Sequence, residues 1–393
     1  MADFDRLLSE YTNKAEPVVH GVLTKCVDKN GKEIYSKTVG WDSIESDAQP
    51  LREDAVLKMA SATKLVTSIA ILQCIERGLI ALDEPVTRVL PELDNRNIIS
   101  KTEAGELEYT PASKAITPRH LLSHMSGMAY PFLSPLLTAW EATGAKTSSN
   151  KIAEKMCYPL LFEPGEGWVY GVGLDWAGLA VARLNNTTLE NYMIENIWKR
   201  VGRSPPFPTF HVSHHPEYKA RLMKAAQRKS SRKLEPWDYA YGDNDEDEEG
   251  GHGLVLTMAD YTAVLADLLS DSPKLLNPST IDMMFEPQLA KDSPGIPMLM
   301  QLKPAWDMVA GPVKEEYVNH GLGGLLVHGG ETPEIGQPAN ILCWGGASNI
   351  VWWICREKGV AGFFATQIHP FSDSKVKQLV NAWKKDFWSN YLG

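Results

Sequence analysis

A serine three residues ahead of a lysine puts both side chains on one face of a helix, where the amine can relieve the hydroxyl of its proton. That spacing occurs at Ser61/Lys64, Ser148/Lys151, Ser230/Lys233, Ser372/Lys375 and Ser374/Lys377. Surroundings separate the five. Only Ser61 stands where an extended approach, AVLKMA, runs into a long apolar helical stretch. At such a helix start, free backbone N–H groups and the helix dipole favour a developing oxyanion. A lysine buried against the same helix can lose its proton and act as a base. The plainer alternative is an N-capping serine followed by a surface lysine. No serine sits in a Gly-x-Ser-x-Gly elbow,.

Other reactive side chains offer less. His120 and His124, four apart on a helix, could be ligands, but a structural role is the expectation. His211, His214 and His215 lie in a polar loop and are expected to bind nothing. The five cysteines, Cys26, Cys74, Cys157, Cys343 and Cys355, are scattered and form no CxxC pair. They read as buried reduced thiols of a cytoplasmic protein, with no zinc site among them.

The elements that would hold Ser61 can be outlined. VVHGVLTKCV and EIYSKTVG flank Asp28-Lys29-Asn30-Gly31, a hairpin signal. From Ser61 to Arg77, Leu65, Val66, Ile69, Leu72 and Ile75 recur at helical spacing, with Gly78 as the stop. Short helices are expected over Asp83–Leu90 and Thr117–Leu122. Further helical stretches are expected over 148–157, 174–184 and 188–200. The acidic run from Asp243 to Glu249 reads as a solvated loop, and a cation-binding loop is the sharper alternative. GQPANILCWGG, NIVWWICRE and GVAGFFATQIH read as strands, followed by a helix from Ser374 to about Trp388. His320-Gly321-Leu322-Gly323-Gly324 reads as a glycine-rich loop without the setting of a dinucleotide site. Strands at both ends and helices between them predict an α+β fold. An antiparallel sheet from residues 1–95 and 250–393 would form one discontinuous α/β sandwich domain. Residues 96–249 would form a mainly helical inserted domain.

Composition bounds the function. The 393 residues are 44% hydrophobic and 22% charged, with a net charge of −10. That balance suits a globular chain and argues against nucleic acid as a partner, because phosphate contacts need basic patches. The polar, acidic start lacks the pattern of a secretory signal, and no apolar run is long enough to span a membrane.

Three ordered motifs resemble the class C β-lactamase-like family, which also holds D-aminopeptidases, esterases and transesterases. They are Ser61-Ala62-Thr63-Lys64, then Tyr170 in WVYGVGLDWAG, then Trp344-Gly345-Gly346-Ala347. Flanking blocks, HLLSHMSG from His120 and Phe162-Glu163-Pro164-Gly165, fit the same order. The resemblance spans about residues 17 to 385. It implies a β-lactamase/transpeptidase-like fold, with Ser61 as nucleophile and acyl carrier. Lys64 and Tyr170 would share the proton, and the N–H groups of Ser61 and Ala347 would form the oxyanion hole. Tyr130, Phe132, Trp168 and Phe371 would line the substrate pocket, together with Val172, Trp344, Gly345 and Gly346.

Two departures steer the substrate. Penicillin-binding relatives carry Tyr-x-Asn, whereas this chain has Tyr170-Gly171-Val172; they begin the third motif with Lys or His and a Thr, whereas here it is Trp344-Gly345. The amide and the positive charge that hold a β-lactam are therefore missing. ASATKL, LQCIERGL, HLLSHMSG, YGVGLDWAG and GGASNIVW are similar to the family's fungal statin acyltransferase and esterase branch. The resemblance implies a short branched acyl ester on a bulky apolar, polyketide or statin-like alcohol. The partner would be a small-molecule ester, or an acyl thioester or acyl-carrier donor. No cofactor or metal is expected. A β-lactamase or D-amino-acid peptidase, or a noncatalytic binder on the same scaffold, are the alternatives.

Overall fold

The computed structural model describes residues 3–145, 148–230, 233–238, 243 and 246–391. Asp28 to Gly31 do turn the chain. The Asp28 carboxylate accepts the N–H groups of Asn30 and Lys32, and Gly31 takes a left-handed φ of 74°,. This turn joins β1 (Gly21–Asp28) to β2 (Glu33–Gly40). Five strands from the far end follow: β3 (Val318–His320), β4 (Leu325–Val327), β5 (Ile341–Gly346), β6 (Ile350–Cys355) and β7 (Val360–Ala365). They form one antiparallel sheet in the order β2-β1-β7-β6-β5-β4-β3. Strands from both chain ends thus share one sheet, and the fold is the α+β, β-lactamase-like arrangement that the motifs imply.

Six helices bear on the site: α1 (Thr63–Glu76), α2 (Pro118–Leu122), α3 (Gly173–Asn185), α4 (Met258–Leu269), α5 (Lys303–Ala310) and α6 (Ser374–Asn390). Side chains alternate across a strand, so Trp352 and Trp353 face opposite sides. Tyr261 of α4 packs on Trp352 and Phe363. Trp383 and Phe387 of α6 pack on Trp353 from the other side. With both faces covered, β6 is buried along its length. That explains why IVWWIC is a continuous apolar run rather than an alternating one.

Several expected boundaries shift. Every residue of α1 from Thr63 to Cys74 is buried, so the helix is a central rod rather than an amphipathic one. Burying Leu65, Val66, Ile69 and Leu72 contributes about 1.5–3 kcal/mol each. Over 83–90 only a 3-10 turn, Val86–Arg88, forms, and over 148–157 only Ile152–Lys155 is helical. Prolines at 85 and 91 remove the donors that would continue the first,. The stretch 188–200 begins as Leu189–Met193 and widens into a π-turn, Ile194–Trp198. His320 ends β3 rather than opening a loop. Gly321 and Gly324 let the β3–β4 turn approach Met284 and Trp352, where a Cβ would collide or crowd. Residues 97–111, inside the mainly helical stretch, form a hairpin of Asn97–Lys101 and Leu107–Pro111.

Candidate active site

The approach to Ser61 is a short strand, Val56–Lys58, paired with Val255–Thr257. Ala60 then takes a left-handed φ of 46°, which costs an L-residue about 1 kcal/mol or more. This sharp turn leads into a 3-10 turn, Ala60–Ala62, ahead of α1. Ser61 therefore lies within the turn, one residue before the helix N-cap, Ala62, and caps nothing. Its hydroxyl is left to face the cavity.

Lys64 is almost fully buried. Its ammonium has three donors, and three acceptors surround it. Nζ lies 3.3 Å from Ser61 Oγ, 3.0 Å from Tyr130 Oη and 2.7 Å from the Gly251 carbonyl. The Tyr170 hydroxyl lies 2.6 Å from Ser61 Oγ. Nζ also sits 4.8 Å from the Tyr170 ring centre and 5.3 Å from that of Tyr130, a cation against two aromatic faces. One lysine, two phenols and one hydroxyl thus form a continuous path for a proton.

Glycines make this convergence possible. Gly171 lies so close to the Met128 carbonyl that a Cβ would overlap it. The Tyr130 N–H donates to the Tyr170 carbonyl at 3.3 Å. The two segments run side by side, and their tyrosine rings meet edge to face at 5.3 Å. At Gly346 a Cβ would strike the Met59 carbonyl. Its absence lets the end of β5 abut the Ser61 turn and brings Ala347 to the same cavity as Ser61.

Behind Tyr170 stand two buried histidines. His124 meets the Tyr170 ring at 4.8 Å and His320 at 5.3 Å. Burial, then the neighbouring His320 and Lys64, holds His124 well below the usual imidazole range. Burial pushes His320 down to about 4. Both are neutral props at neutral pH. His120 closes a capping box with Thr117 at the start of α2. His211 lies 3.8 Å from Glu248.

The cavity before Ser61 holds about 590 Å³, within the range of ligand pockets. Tyr130, Phe132, Tyr170, Val172, Trp344, Gly345, Gly346, Ala347 and Phe371 all line it. Phe132 stands at the rim, 77% exposed and stacked on Tyr130. Trp168 does not line it. It is buried against His124 and His320, so its part is to support the wall. Residues without a sequence signal complete the surface: Met156, Tyr158, Leu302, Ala305, Trp306 and Val309. The run KPAWDMVA would have marked α5 as an amphipathic helix, but nothing local says that it faces Ser61.

The acidic run is not a purely solvated loop. Asn244 and Asp245 lie outside the described residues. Asp247 accepts the Ile152 N–H and Glu248 accepts the Leu189 N–H. Glu249 is buried between Lys155 at 2.6 Å and His252 at 2.8 Å. All five cysteines are free, four of them buried and Cys157 half-buried.

A serine hydroxyl in contact with a lysine and a tyrosine, the lysine bonded in turn to a second tyrosine, at the mouth of an apolar cavity on a sheet-and-helix scaffold, defines a serine acyl-transfer enzyme. Comparison with known proteins agrees: residues 16–383 match the beta-lactamase family model, and the chain belongs to that family. It is 53% identical to the acyltransferase calJ of Penicillium decumbens, covering 100% of this chain and 99% of that one. It is 32% identical to the lovastatin esterase of Penicillium rubens, covering 95% of each. The unliganded simvastatin synthase of Aspergillus terreus superposes with a TM-score of 0.88 at 32% identity, over 100% of both chains. Among the described residues no helix is long and apolar enough to cross a membrane.

Proposed function

We propose that Ser61 attacks an ester or thioester carbonyl, carries the acyl group as an ester, and passes it to the alcohol of a bulky apolar, polyketide or statin-like acceptor. The observation that carries this reading is the pair of contacts on Ser61 Oγ, from Tyr170 at 2.6 Å and Lys64 at 3.3 Å. Lys64 Nζ takes the Ser61 proton as Oγ attacks, and the Tyr170 hydroxyl on the same oxygen shares it,. That proton goes to the thiol or alcohol that departs from the donor; Lys64 and Tyr170 then take the proton of the incoming alcohol and return it to Ser61 Oγ as the acyl–Ser61 bond breaks. The N–H groups of Ser61 and Ala347 receive the oxyanion.

An apolar wall from Leu302, Trp306, Val309, Trp344 and Phe371 suits a short branched acyl chain and an apolar alcohol. It offers no cationic seat for a β-lactam carboxylate where Trp344 stands. Transfer rather than hydrolysis is favoured because the 53% identical relative is named an acyltransferase; an esterase relative stands at 32%. The donor is an acyl thioester, free or on a carrier. Five free cysteines fit a reducing compartment such as the cytoplasm,.

The Ser61→Ala variant should lose turnover of p-nitrophenyl butyrate and labelling by a fluorophosphonate while remaining folded. Full activity in that variant would sink the assignment. Incubating a statin alcohol with an acyl thioester, products read by mass, then separates the outcomes. Ester formation is expected, and release of free acid alone would make the chain an esterase.

A further inference from the structure

The Gly251 carbonyl is the nearest partner of Lys64, yet it can neither give nor take a proton. It always occupies one N–H. When Lys64 is neutral, a second N–H goes to Tyr130, and the lone pair is left pointing at Ser61. The aim of the base therefore depends on what fixes Gly251.

Residues 249–253 are clamped between α1 and α3. Thr67, one turn after Lys64, donates to the Gly250 carbonyl at 2.7 Å. The Gly251 N–H donates to Asp175 Oδ1 at 2.8 Å, so Asp175, fully buried in the first turn of α3, sets the plane of that peptide. A Cβ at Gly251 would overlap the Asp175 carboxylate. Asp175 Oδ2 is buried and accepts no hydrogen bond among the described residues. Its charge is met instead by His252, whose Nδ1 lies 3.4 Å from Oδ1 and whose Nε2 lies 2.8 Å from Glu249.

We propose that His252 is a positioning residue: bridging Asp175 and Glu249, it holds the Gly251 carbonyl on Lys64 and cancels the carboxylate charge behind that lysine. This rests on the reading of Ser61 as nucleophile and Lys64 as its base. The groups that face His252 are Asp175 from α3, Glu249 from its own loop, Lys155 behind Glu249, Lys64 from α1, and Glu141 and Tyr158 across the cavity wall. Two cations, His252 and Lys155, balance two carboxylates, Asp175 and Glu249, so Lys64 meets a neutral cluster. Burial works against charge on His252, but the carboxylates of Asp175 and Glu249 beside it raise it to about 9. Burial, then the charges of Glu141, Asp175 and Glu249, pushes Tyr158 up to about 12, so this wall is felt across the cavity.

The test is the pH profile of kcat/KM for p-nitrophenyl butyrate with the full chain. His252→Asn leaves one carboxylate uncompensated, which favours the charged form of Lys64. The acid limb should move up by about one pH unit, with roughly tenfold less activity below it. Asp175→Asn keeps an oxygen for the Gly251 N–H but removes a negative charge, so its limb should move down. The double variant should return near the wild-type position. Unmoved limbs in both single variants, or a double variant displaced as far as His252→Asn, would overturn the proposal. Should His252→Asn not fold, Asp175→Asn carries the test alone, and an unmoved limb there overturns it. Ser61→Ala run alongside tells the failures apart. Turnover retained there defeats the nucleophile assignment, whereas loss there with unmoved limbs defeats only the role of His252.

Discussion

Among the described residues, Lys64 and Lys384 are almost wholly enclosed, and they sit among different kinds of partner. Lys384, in α6, is fully enclosed and spends its donors on the carbonyls of Val309 and Ala310 and on Gln337 Oε1, at 2.6, 3.1 and 3.0 Å. None of those partners can exchange a proton with it. It braces the end of α5 against α6. Lys64 also makes three contacts, but two are with hydroxyls that can pass a proton on. Burial alone therefore does not equip a lysine for proton transfer; the chemistry of its acceptors decides.

That contrast can be broken most forcefully at Lys64. Lys64→Met should lower kcat/KM for p-nitrophenyl butyrate by about 10²–10⁴-fold in protein that remains folded. Activity within tenfold of wild type would make Lys64 a second brace. Next in size is the geometry around it. Gly346→Ala forces a Cβ onto the Met59 carbonyl, shifting the Ser61 turn against Ala347. Roughly 10²-fold loss of rate is expected, and an unchanged rate would show that the two backbones need not touch.

Lys384→Met should do the reverse. Catalysis should stay near wild type, while unfolding in urea reveals a loss of about 1–3 kcal/mol from acceptors left unpaired. The smallest effect is the pH dependence of that loss. Burial pulls Lys384 from 10.5 down to about 8. Between those values the unfolded chain binds the proton that the folded chain has released. Lys384 thus adds stability as pH rises from about 8 toward 10.5,. The stability gap between wild type and Lys384→Met should widen over that window, and a constant gap would refute the assignment.

The site was legible in the sequence where it is local and hidden where it is not. Ser61 and Lys64 stand three apart, and Tyr170 and Trp344-Gly345-Gly346-Ala347 sit in phrases that carry a family resemblance. The remaining partners of Lys64 come from 66 and 187 residues away, beyond any spacing rule. Tyr130 could be placed at the pocket but not on the lysine. Ala60 gives no sign of its left-handed backbone, because alanine is not chosen for it. The sheet was readable from β-rich runs at both ends. β3 was not, since the glycines beside it report close packing against Met284 and Trp352 and look locally like a loop.

One consequence of the sheet concerns time rather than space. β1 lies at 21–28, yet its second neighbour, β7, lies at 360–365, and Leu23 pairs with Ala365. On the ribosome the hairpin of β1 and β2 must wait with one edge open until β7 has emerged. The strand that brings Ala347 to Ser61 comes just as late. Closure over so long a loop is slow and exposes apolar strands meanwhile. The sheet and the reactive centre thus depend on the same late strands.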